Sequence, residues 1–156
     1  YRGAKNLAEP LAELLNTRCL TKMPARRSLG AGGEIKNADD WLIIPVPLSK
    51  NRLKERGYNQ AELIAEYFSE KIKIQICAGA LMKTKDTPAQ VSVKNRKERL
   101  KNLDGAFAIK NPGLVEGKNI ILIDDVSTTG ATLREAKKTL KLAGAKKVLA
   151  LVVARG

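Results

Sequence analysis

Residues 120–134 read IILIDDVSTTGATLR, and this stretch predicts a strand, a short polar loop and a helix in immediate succession. Its first four residues are apolar, which is typical of a strand buried on both faces. Asp124 and Asp125 follow where that strand is predicted to end. Small hydroxyl residues then surround Gly130 before a helical pattern begins. The rest of the chain can be interpreted around this unit.

The loop after the acidic pair has the features of a phosphate site. Its backbone N–H groups and hydroxyls can surround a phosphate, and the amino terminus of the following helix adds a partial positive charge. Gly130 permits a positive φ or a close approach of the backbone to a ligand. Carboxylates only accept hydrogen bonds, so Asp124 and Asp125 suit ligand hydroxyls or a hydrated metal ion. The stretch therefore predicts a site for a phosphorylated sugar.

Length and composition indicate one soluble globular domain of 156 residues, with 44% hydrophobic and 29% charged residues. No apolar run reaches the roughly 18 residues of a membrane span and no signal peptide is apparent, so we expect a cytoplasmic protein. Cys19 and Cys77 are isolated and histidine is absent. This composition excludes a disulfide framework, a zinc site in this chain and the Ser–His and Cys–His dyads.

The chain carries a net charge of +13, from 29 basic and 16 acidic residues. Such an excess suits an anionic partner such as nucleic acid or a polyphosphate, and a solvated basic surface is an equally good interpretation. Aromatic residues make up only 4% of the chain, which argues against a base-stacking platform. Because the chain begins at Tyr1 without methionine, we expect it to be a fragment of a longer protein.

The pattern along the chain predicts an α/β fold, a mostly parallel sheet with helices on both faces. Leucines at helical spacing in residues 6–15 and a glycine cluster at 30–33 predict an N-terminal helix and a mobile loop within 1–40. Residues 41–46 (WLIIPV) and 147–154 (KVLALVVA) read as buried strands. Asn59 can cap a helix with Glu62 as its capping-box partner. The alternating isoleucines in 72–76, with Leu81-Met82 a little beyond them, indicate one or two short strands.

Two further loops are predicted to face the same ligand. Since the carboxyl ends of parallel strands line one crevice, residues 47–57 should lie beside 124–132. That turn carries Arg52, Lys54 and Arg56, which suit a second anion or a plain surface role. Residues 83–90 (KTKDTPAQ) predict a loop able to move over a ligand, and 92–103 a basic helix that is either solvated or in contact with an anion.

The segment ILIDDVSTTGAT, residues 121–132, resembles the phosphoribosyl pyrophosphate (PRPP) signature of type I phosphoribosyltransferases. The flanking segments are similar to the ComF family of competence-associated, GntX-like proteins; they are Pro45-Val46-Pro47-Leu48-Ser49, Arg52, Arg56-Gly57-Tyr58-Asn59-Gln60, Thr87-Pro88-Ala89-Gln90, Arg96, Asn102 and Phe107. The resemblance covers residues 41–156. It implies the Rossmann-like type I phosphoribosyltransferase fold with a small N-terminal hood-like region.

The resemblance also implies roles for individual residues. Asp124 and Asp125 would hold the ribose hydroxyls and Mg²⁺, directly or through water. Arg52, Arg56 and a lysine of the flexible segment, Lys85 or Lys83, would act on the leaving pyrophosphate. The implied PRPP-binding set is Asp124, Asp125, Val126, Ser127, Thr128, Thr129, Gly130, Ala131, Thr132, Pro47, Leu48, Ser49, Arg56 and Gly57.

Two departures from the family pattern bear on function. Family members usually begin with a four-cysteine zinc module, which this chain lacks, in keeping with a C-terminal fragment. Purine-salvage relatives carry an aspartate at the position of Thr128, so the resemblance disfavours a 6-oxopurine acceptor and leaves the acceptor open.

Three hypotheses of function follow. The first is a Mg²⁺-dependent phosphoribosyltransferase associated with competence, DNA uptake and nucleoside metabolism. The second is a non-catalytic PRPP-binding or single-stranded-DNA-handling module of the competence machinery. The third, a P-loop NTPase, is excluded. The nearest glycine–lysine stretch, residues 113–119, is one residue shorter than the P-loop motif and lacks the Ser or Thr that ends it.

Overall fold

The computed structural model describes residues 38–85 and 104–155. The helix and loop predicted before residue 38, the basic helix predicted at 92–103 and residues 86–90 of the predicted moving loop lie outside the described residues. The division of 1–156 into an N-terminal region and a core within one domain therefore stays a prediction.

The described elements alternate strands with helices. In chain order they are β1 (Trp41–Pro45), α1 (Lys50–Arg56), α2 (Gln60–Ile72), β2 (Leu81–Lys83), β3 (Phe107–Ile109), β4 (Asn119–Ser127), α3 (Ala131–Leu142) and β5 (Lys147–Arg155). Short 3-10 helices at Ala38–Asp40 and Pro112–Leu114 precede β1 and β4. None of the helices in these ranges is long and apolar enough to cross a membrane.

The main sheet is parallel, in the order β1-β4-β5. Pro45 pairs with Ile123, and the pairing of β4 with β5 continues to Ser127 and Arg155. On the other side of β1, Ile76 forms a parallel bridge to Ile43. Strands β2 and β3 form a separate antiparallel hairpin. The α/β class with a parallel sheet, predicted from sequence, is confirmed.

Each face of the sheet is covered by a helix, because alternate side chains of a strand point to opposite faces. On one face Leu42, Ile44, Ile120 and Leu122 pack in a core with Ala136 and Leu140 of α3 and with Leu81 and Phe107 of the hairpin. On the other, Ile43, Ile121 and Ile123 pack with Ile64 and Phe68 of α2. These two layers leave the carboxyl ends of the strands as the common rim.

Two sequence predictions about strands are corrected by tertiary pairing. The strand predicted to end before Asp124 continues through the acidic pair, because β5 pairs with β4 as far as Ser127. The strand predicted at 147–154 forms, but it is not of the fully buried type. Within its described part Val148 is buried, whereas Leu149, Leu151 and Val153 are half-buried. In the described sheet β5 pairs with β4 alone and is therefore an edge strand. An edge strand is less completely buried than a central strand, which has a neighbour on each side.

The region between β1 and α2 also differs from expectation. Instead of a simple turn, residues 50–56 form α1, which ends where Gly57 takes φ 76° and its N–H bonds to the carbonyl of Leu53. Asn59 caps α2 as predicted, with its side chain accepting from Ala61 N–H. The predicted capping-box partner, Glu62, donates its own N–H to the Asn59 backbone carbonyl.

Candidate functional site

Strand β4 brings two carboxylates to the rim. Asp124 is 8% exposed, and Asp125 is half-buried. Each accepts a hydrogen bond from the backbone N–H of the residue that follows it, at 3.0 Å for Asp124 and 2.8 Å for Asp125. By strand alternation, Asp124 shares the α3 face of the sheet with Leu122. The pair therefore presents preoriented acceptors for ligand hydroxyls.

The electrostatics of the pair are unusual. Burial, and then the neighbouring charge and hydrogen bond of Asp125, raise the pKa of Asp124 from 3.8 to about 7. The backbone hydrogen bond from Asp125 and the positive charge of Lys83 act in the opposite direction. A ligand that brings hydroxyl donors or a cation would stabilise the ionised form.

The loop that follows β4 opens directly into α3. Gly130 stands at the N-cap with φ 70° and ψ 10°, in the left-handed region where glycine has no steric cost. Its carbonyl accepts from Arg134 N–H at 3.0 Å, and Ala131 N–H points to Thr129 Oγ1 at 3.4 Å. Because α3 runs for 12 residues, its first turn carries the partial positive charge that favours a phosphate.

The loop after β1 is held beside the acidic pair. Val46 N–H donates to the carbonyl of Ile123 at 2.8 Å, and Asn59 Nδ2 donates to the carbonyl of Val46 at 3.1 Å. Asn59 is itself buried. These bonds tie the start of the loop to β4 and to α2. The loop residues that follow, Pro47, Leu48 and Ser49, are half-buried or buried. The shared rim predicted from sequence is present.

The basic residues predicted to act at the site differ in their surroundings. Arg52 is half-buried on α1, and Arg56 is exposed and donates to Gln60 Oε1 at 3.1 Å. Lys85 donates to the carbonyl of Asp104 at 2.7 Å, at the edge of the hairpin. The positive charge of Lys83 acts to lower the pKa of Asp124, whereas the ammonium of Lys85 is bonded to the Asp104 carbonyl.

The acidic pair is suited to a metal ion that is held mainly by other oxygens. Among the described residues there is no group of three or more His, Cys, Asp or Glu side chains that could hold a metal. Mg²⁺ normally retains several waters and is bound through one or two carboxylates together with substrate phosphates. Asp124 and Asp125 fit that kind of site.

Two contributors were not assigned to the site from sequence. Arg134 places Nη1 3.4 Å from the point where a Cβ on Gly130 would stand, so a cation lies against the loop between β4 and α3. Its spacing of four residues from Gly130, one helical turn, is the signal that could have found it. Asn59 was predicted only as a helix cap, and its bond to Val46 depends on the packing of α2 against β1.

Most of this chain matches known proteins. Residues 54–156 match the model of the phosphoribosyl transferase domain family. Competence protein ComFC of Streptococcus pneumoniae is 39% identical over 119 residues, which cover 74% of this chain and 48% of that protein. DNA utilization protein YhgH of Escherichia coli K12 is 35% identical over 147 residues, covering 93% and 59% respectively. The chain thus spans about half the length of these relatives.

A solved structure supports the fold alone. The glutamine phosphoribosylpyrophosphate (PRPP) amidotransferase of B. subtilis, complexed with ADP and GMP, aligns with a TM-score of 0.50 at 20% identity. The alignment covers 96% of this chain and 26% of that one.

Proposed function

Since this chain belongs to the phosphoribosyl transferase domain family, in its ComF branch, we propose that it binds PRPP with Mg²⁺ at the rim formed by β1, β4 and α3. We further propose that it transfers the phosphoribosyl group to an acceptor, as a glycosyltransferase of the pentosyl class. The observation that carries the proposal is the buried Asp124, beside Asp125 and one short loop from the amino terminus of α3.

Each part of the rim suits one part of PRPP. The 5′-phosphate would lie in the loop of Val126, Ser127, Thr128, Thr129, Gly130, Ala131 and Thr132, where N–H groups, hydroxyls and the α3 dipole favour an anion. The ribose hydroxyls would donate to Asp124 and Asp125. The pyrophosphate would lie against Pro47, Leu48 and Ser49 and the residues that follow, Arg56 and Gly57 among them. In this proposed arrangement the anomeric carbon would lie between the carboxylates and the loop after β1.

The reaction proposed is a displacement at the anomeric carbon. The bond to the pyrophosphate oxygen breaks and its electron pair leaves with that oxygen, while a lone pair of the acceptor forms the new bond. Positive charge that develops on the sugar is tolerated beside Asp124 and Asp125. Arg52, with Lys83 or Lys85, would offset the charge of the leaving group, an effect that is strongest where water is excluded.

Bound Mg²⁺ would supply orientation of the pyrophosphate and neutralisation of its charge. Asp124 and Asp125 are the residues that would hold it, directly or through water. The raised pKa of Asp124 implies that a cation competes with a proton for that carboxylate, because both bind its oxygen atoms.

The paired substitution Asp124→Asn and Asp125→Asn tests the site. Hydrogen bonds to charged groups are worth about 1.5–3 kcal/mol each, so we expect PRPP affinity in the presence of Mg²⁺ to fall about 100-fold or more. Calorimetry measures it directly. Asp39→Asn with Asp40→Asn is the matched control, since that exposed acidic pair precedes β1 at the opposite end of the sheet. Unchanged affinity in the first variant would refute the assignment.

Turnover is tested by a screen of nucleobases and amines for PRPP-dependent release of pyrophosphate. The second candidate function, a PRPP-binding or single-stranded-DNA-handling module without catalysis, is favoured by the net charge of +13 and by the competence and DNA-utilization names of the relatives. The two candidate functions predict different outcomes in this screen. An enzyme releases pyrophosphate with one acceptor of the screen, whereas the module binds PRPP or DNA and releases none.

A further inference from the structure

A cluster of polar contacts joins α3 to the β2–β3 hairpin one helical turn beyond the phosphate loop. Glu135 Oε1 accepts from Gly105 N–H at 2.8 Å, and Lys138 Nζ contacts Asp104 Oδ1 at 2.8 Å. Lys138 and Asp104 are more than half exposed, so their ion pair contributes little. The side chain of Glu135 is only 13% exposed, and its charge-assisted bond is the firmer tether.

The turn that Glu135 holds is fused to the exit of β2. Thr84 N–H donates to the carbonyl of Ala106 at 2.8 Å, and Thr84 Oγ1 donates to the carbonyl of Gly105 at 3.1 Å. Lys85 donates to the carbonyl of Asp104 at 2.7 Å. Residues 104–106 and 83–85 are therefore joined by hydrogen bonds, and we call them together the hairpin stem.

The stem places Lys83 on the side of the hairpin that faces the core beneath Asp124. Lys83 pairs with Phe107 across the hairpin, and Phe107 is buried in the same core as Leu122 of β4. Asp124 lies on that face of the sheet, two residues beyond Leu122.

A hairpin of two three-residue strands is marginal on its own, so its position depends on what it is attached to. Among the described residues its apolar attachments include Leu81, Phe107 and Ile109, and its polar attachments to α3 include Glu135 and the exposed Lys138 pair. Since α3 also begins with the phosphate loop, one rigid helix sets the distance from that loop to the stem.

We propose that Glu135 is a positioning residue of the PRPP site, which tethers the hairpin stem to α3 and thereby holds the Lys83 ammonium at the Asp124 end of the ligand. The inference rests on the proposed function in taking PRPP as the ligand. Glu135 itself touches neither the sugar nor its phosphates, and it acts through Gly105 and the stem.

A double-mutant cycle on PRPP binding, measured by calorimetry, tests the proposal. We expect Lys83→Met to weaken binding about tenfold, and Glu135→Met, which keeps the length but not the acceptor, to weaken it by about five- to tenfold. The double variant should bind no more weakly than Lys83→Met, because the two residues act through one contact. Glu135→Gln retains an acceptor for Gly105 N–H and should restore binding to within about twofold of the natural chain.

Lys137→Ala is the matched control, an exposed lysine of the same helix, and it should bind PRPP like the natural chain. Additive losses in the cycle, or a Glu135→Met variant that melts lower but binds PRPP normally, would overturn the proposal. Glu135→Ala replaces Glu135→Met if the latter does not fold.

Hydrogen exchange without ligand separates this proposal from the proposed function. The Gly105 and Thr84 amides should exchange faster in Glu135→Met than in the natural chain or in Glu135→Gln. If the natural chain binds no PRPP, the proposed function fails while the tether is still tested by exchange. Unchanged exchange in Glu135→Met overturns the tether whatever the ligand is.

Discussion

At the scale of single residues, Asp124 makes the stability of the ligand-free protein depend on pH. Its pKa is raised from 3.8 to about 7, so the folded state binds this proton more tightly than the unfolded chain does. The contribution is fully present below about pH 4 and is lost as the pH rises through about 7. Asp124→Asn replaces the ionisable carboxyl group and so removes this loss of stability at high pH. We expect the variant to melt above the natural chain at pH 8 and close to it at pH 4.

The size of this effect can be measured by differential scanning calorimetry without PRPP. For a domain of this length, 1 kcal/mol corresponds to a change of about 2–4 °C in melting temperature. Asp39→Asn, a change at an exposed carboxylate, should show no comparable divergence between the two pH values. If Asp124→Asn raised the melting temperature equally at pH 4 and at pH 8, the interpretation would be contradicted. Charges that suit ribose binding thus destabilise the empty site.

Gly130 is the second residue whose replacement is expected to have a direct cost in stability and in binding. Its φ of 70° is strained for any L-residue, and an added Cβ would stand 3.4 Å from Arg134 Nη1. We expect Gly130→Ala to lower the free energy of unfolding by about 1–2 kcal/mol and to weaken PRPP binding at least about tenfold.

Thermal melts and calorimetry check both effects. Gly79→Ala is the control, since nothing lies within 4 Å of a Cβ added there. If Gly130→Ala bound PRPP as well as Gly79→Ala does, the loop would not be the phosphate site.

At the scale of elements, Asn59 links helix α2 to the loop after β1. Its Oδ1 accepts from Ala61 N–H at 3.2 Å and its Nδ2 donates to the Val46 carbonyl at 3.1 Å, so one side chain both caps the helix and positions the loop. Asn59→Ala should cost about 1–3 kcal/mol of stability. Asn59→Ser keeps a capping acceptor but cannot reach Val46, so we expect milder destabilisation together with weaker PRPP binding.

The control for this element is Asn111→Ala. Asn111 caps the short helix at Pro112–Leu114 by accepting from Gly113 N–H at 3.2 Å, before the amino end of β4. Denaturant melts should show a loss of stability for it and PRPP titrations no loss of affinity. Normal PRPP affinity in Asn59→Ser would show that the bond to Val46 is dispensable for the loop.

At the scale of the whole molecule, the charge of +13 predicts how a nucleic acid would bind. Single-stranded DNA should associate with an affinity that falls steeply with salt, with a slope of about −0.7 per phosphate contacted. If the rim is the contact, Lys50→Glu with Lys54→Glu on α1 should weaken binding and lower that slope, and PRPP should compete.

Lys137→Glu with Lys146→Glu is the charge-matched control away from the rim, because both lysines are exposed and Lys146 precedes the amino end of β5. Titrations of labelled oligonucleotide over a range of salt concentrations distinguish the two surfaces. Equal losses in the two double variants would mean that binding follows net charge and not the rim.

How much was predictable from sequence differs between the sheet and the site. Local hydrophobic pattern and the acidic–hydroxyl–glycine order were sufficient to predict β1, β4, α2, α3 and the loop between β4 and α3, because those signals lie within a few residues of one another. The burial of Asp124, which is the largest cause of its raised pKa, and the influence of Lys83 on that pKa could not be predicted in this way. Both depend on contacts between segments separated by tens of residues.

The same distinction holds for the chain as a whole. Sequence by itself determined the parallel α/β class, the family and the rim that joins residues 47–57 to 124–132, since periodicity and turn chemistry are local properties. Tertiary structure alone decided that β4 runs on through the acidic pair, that β5 has one neighbour in the described sheet and that Glu135 meets Gly105. Pairing partners and side-chain contacts depend on which elements meet in space, and no local pattern specifies that.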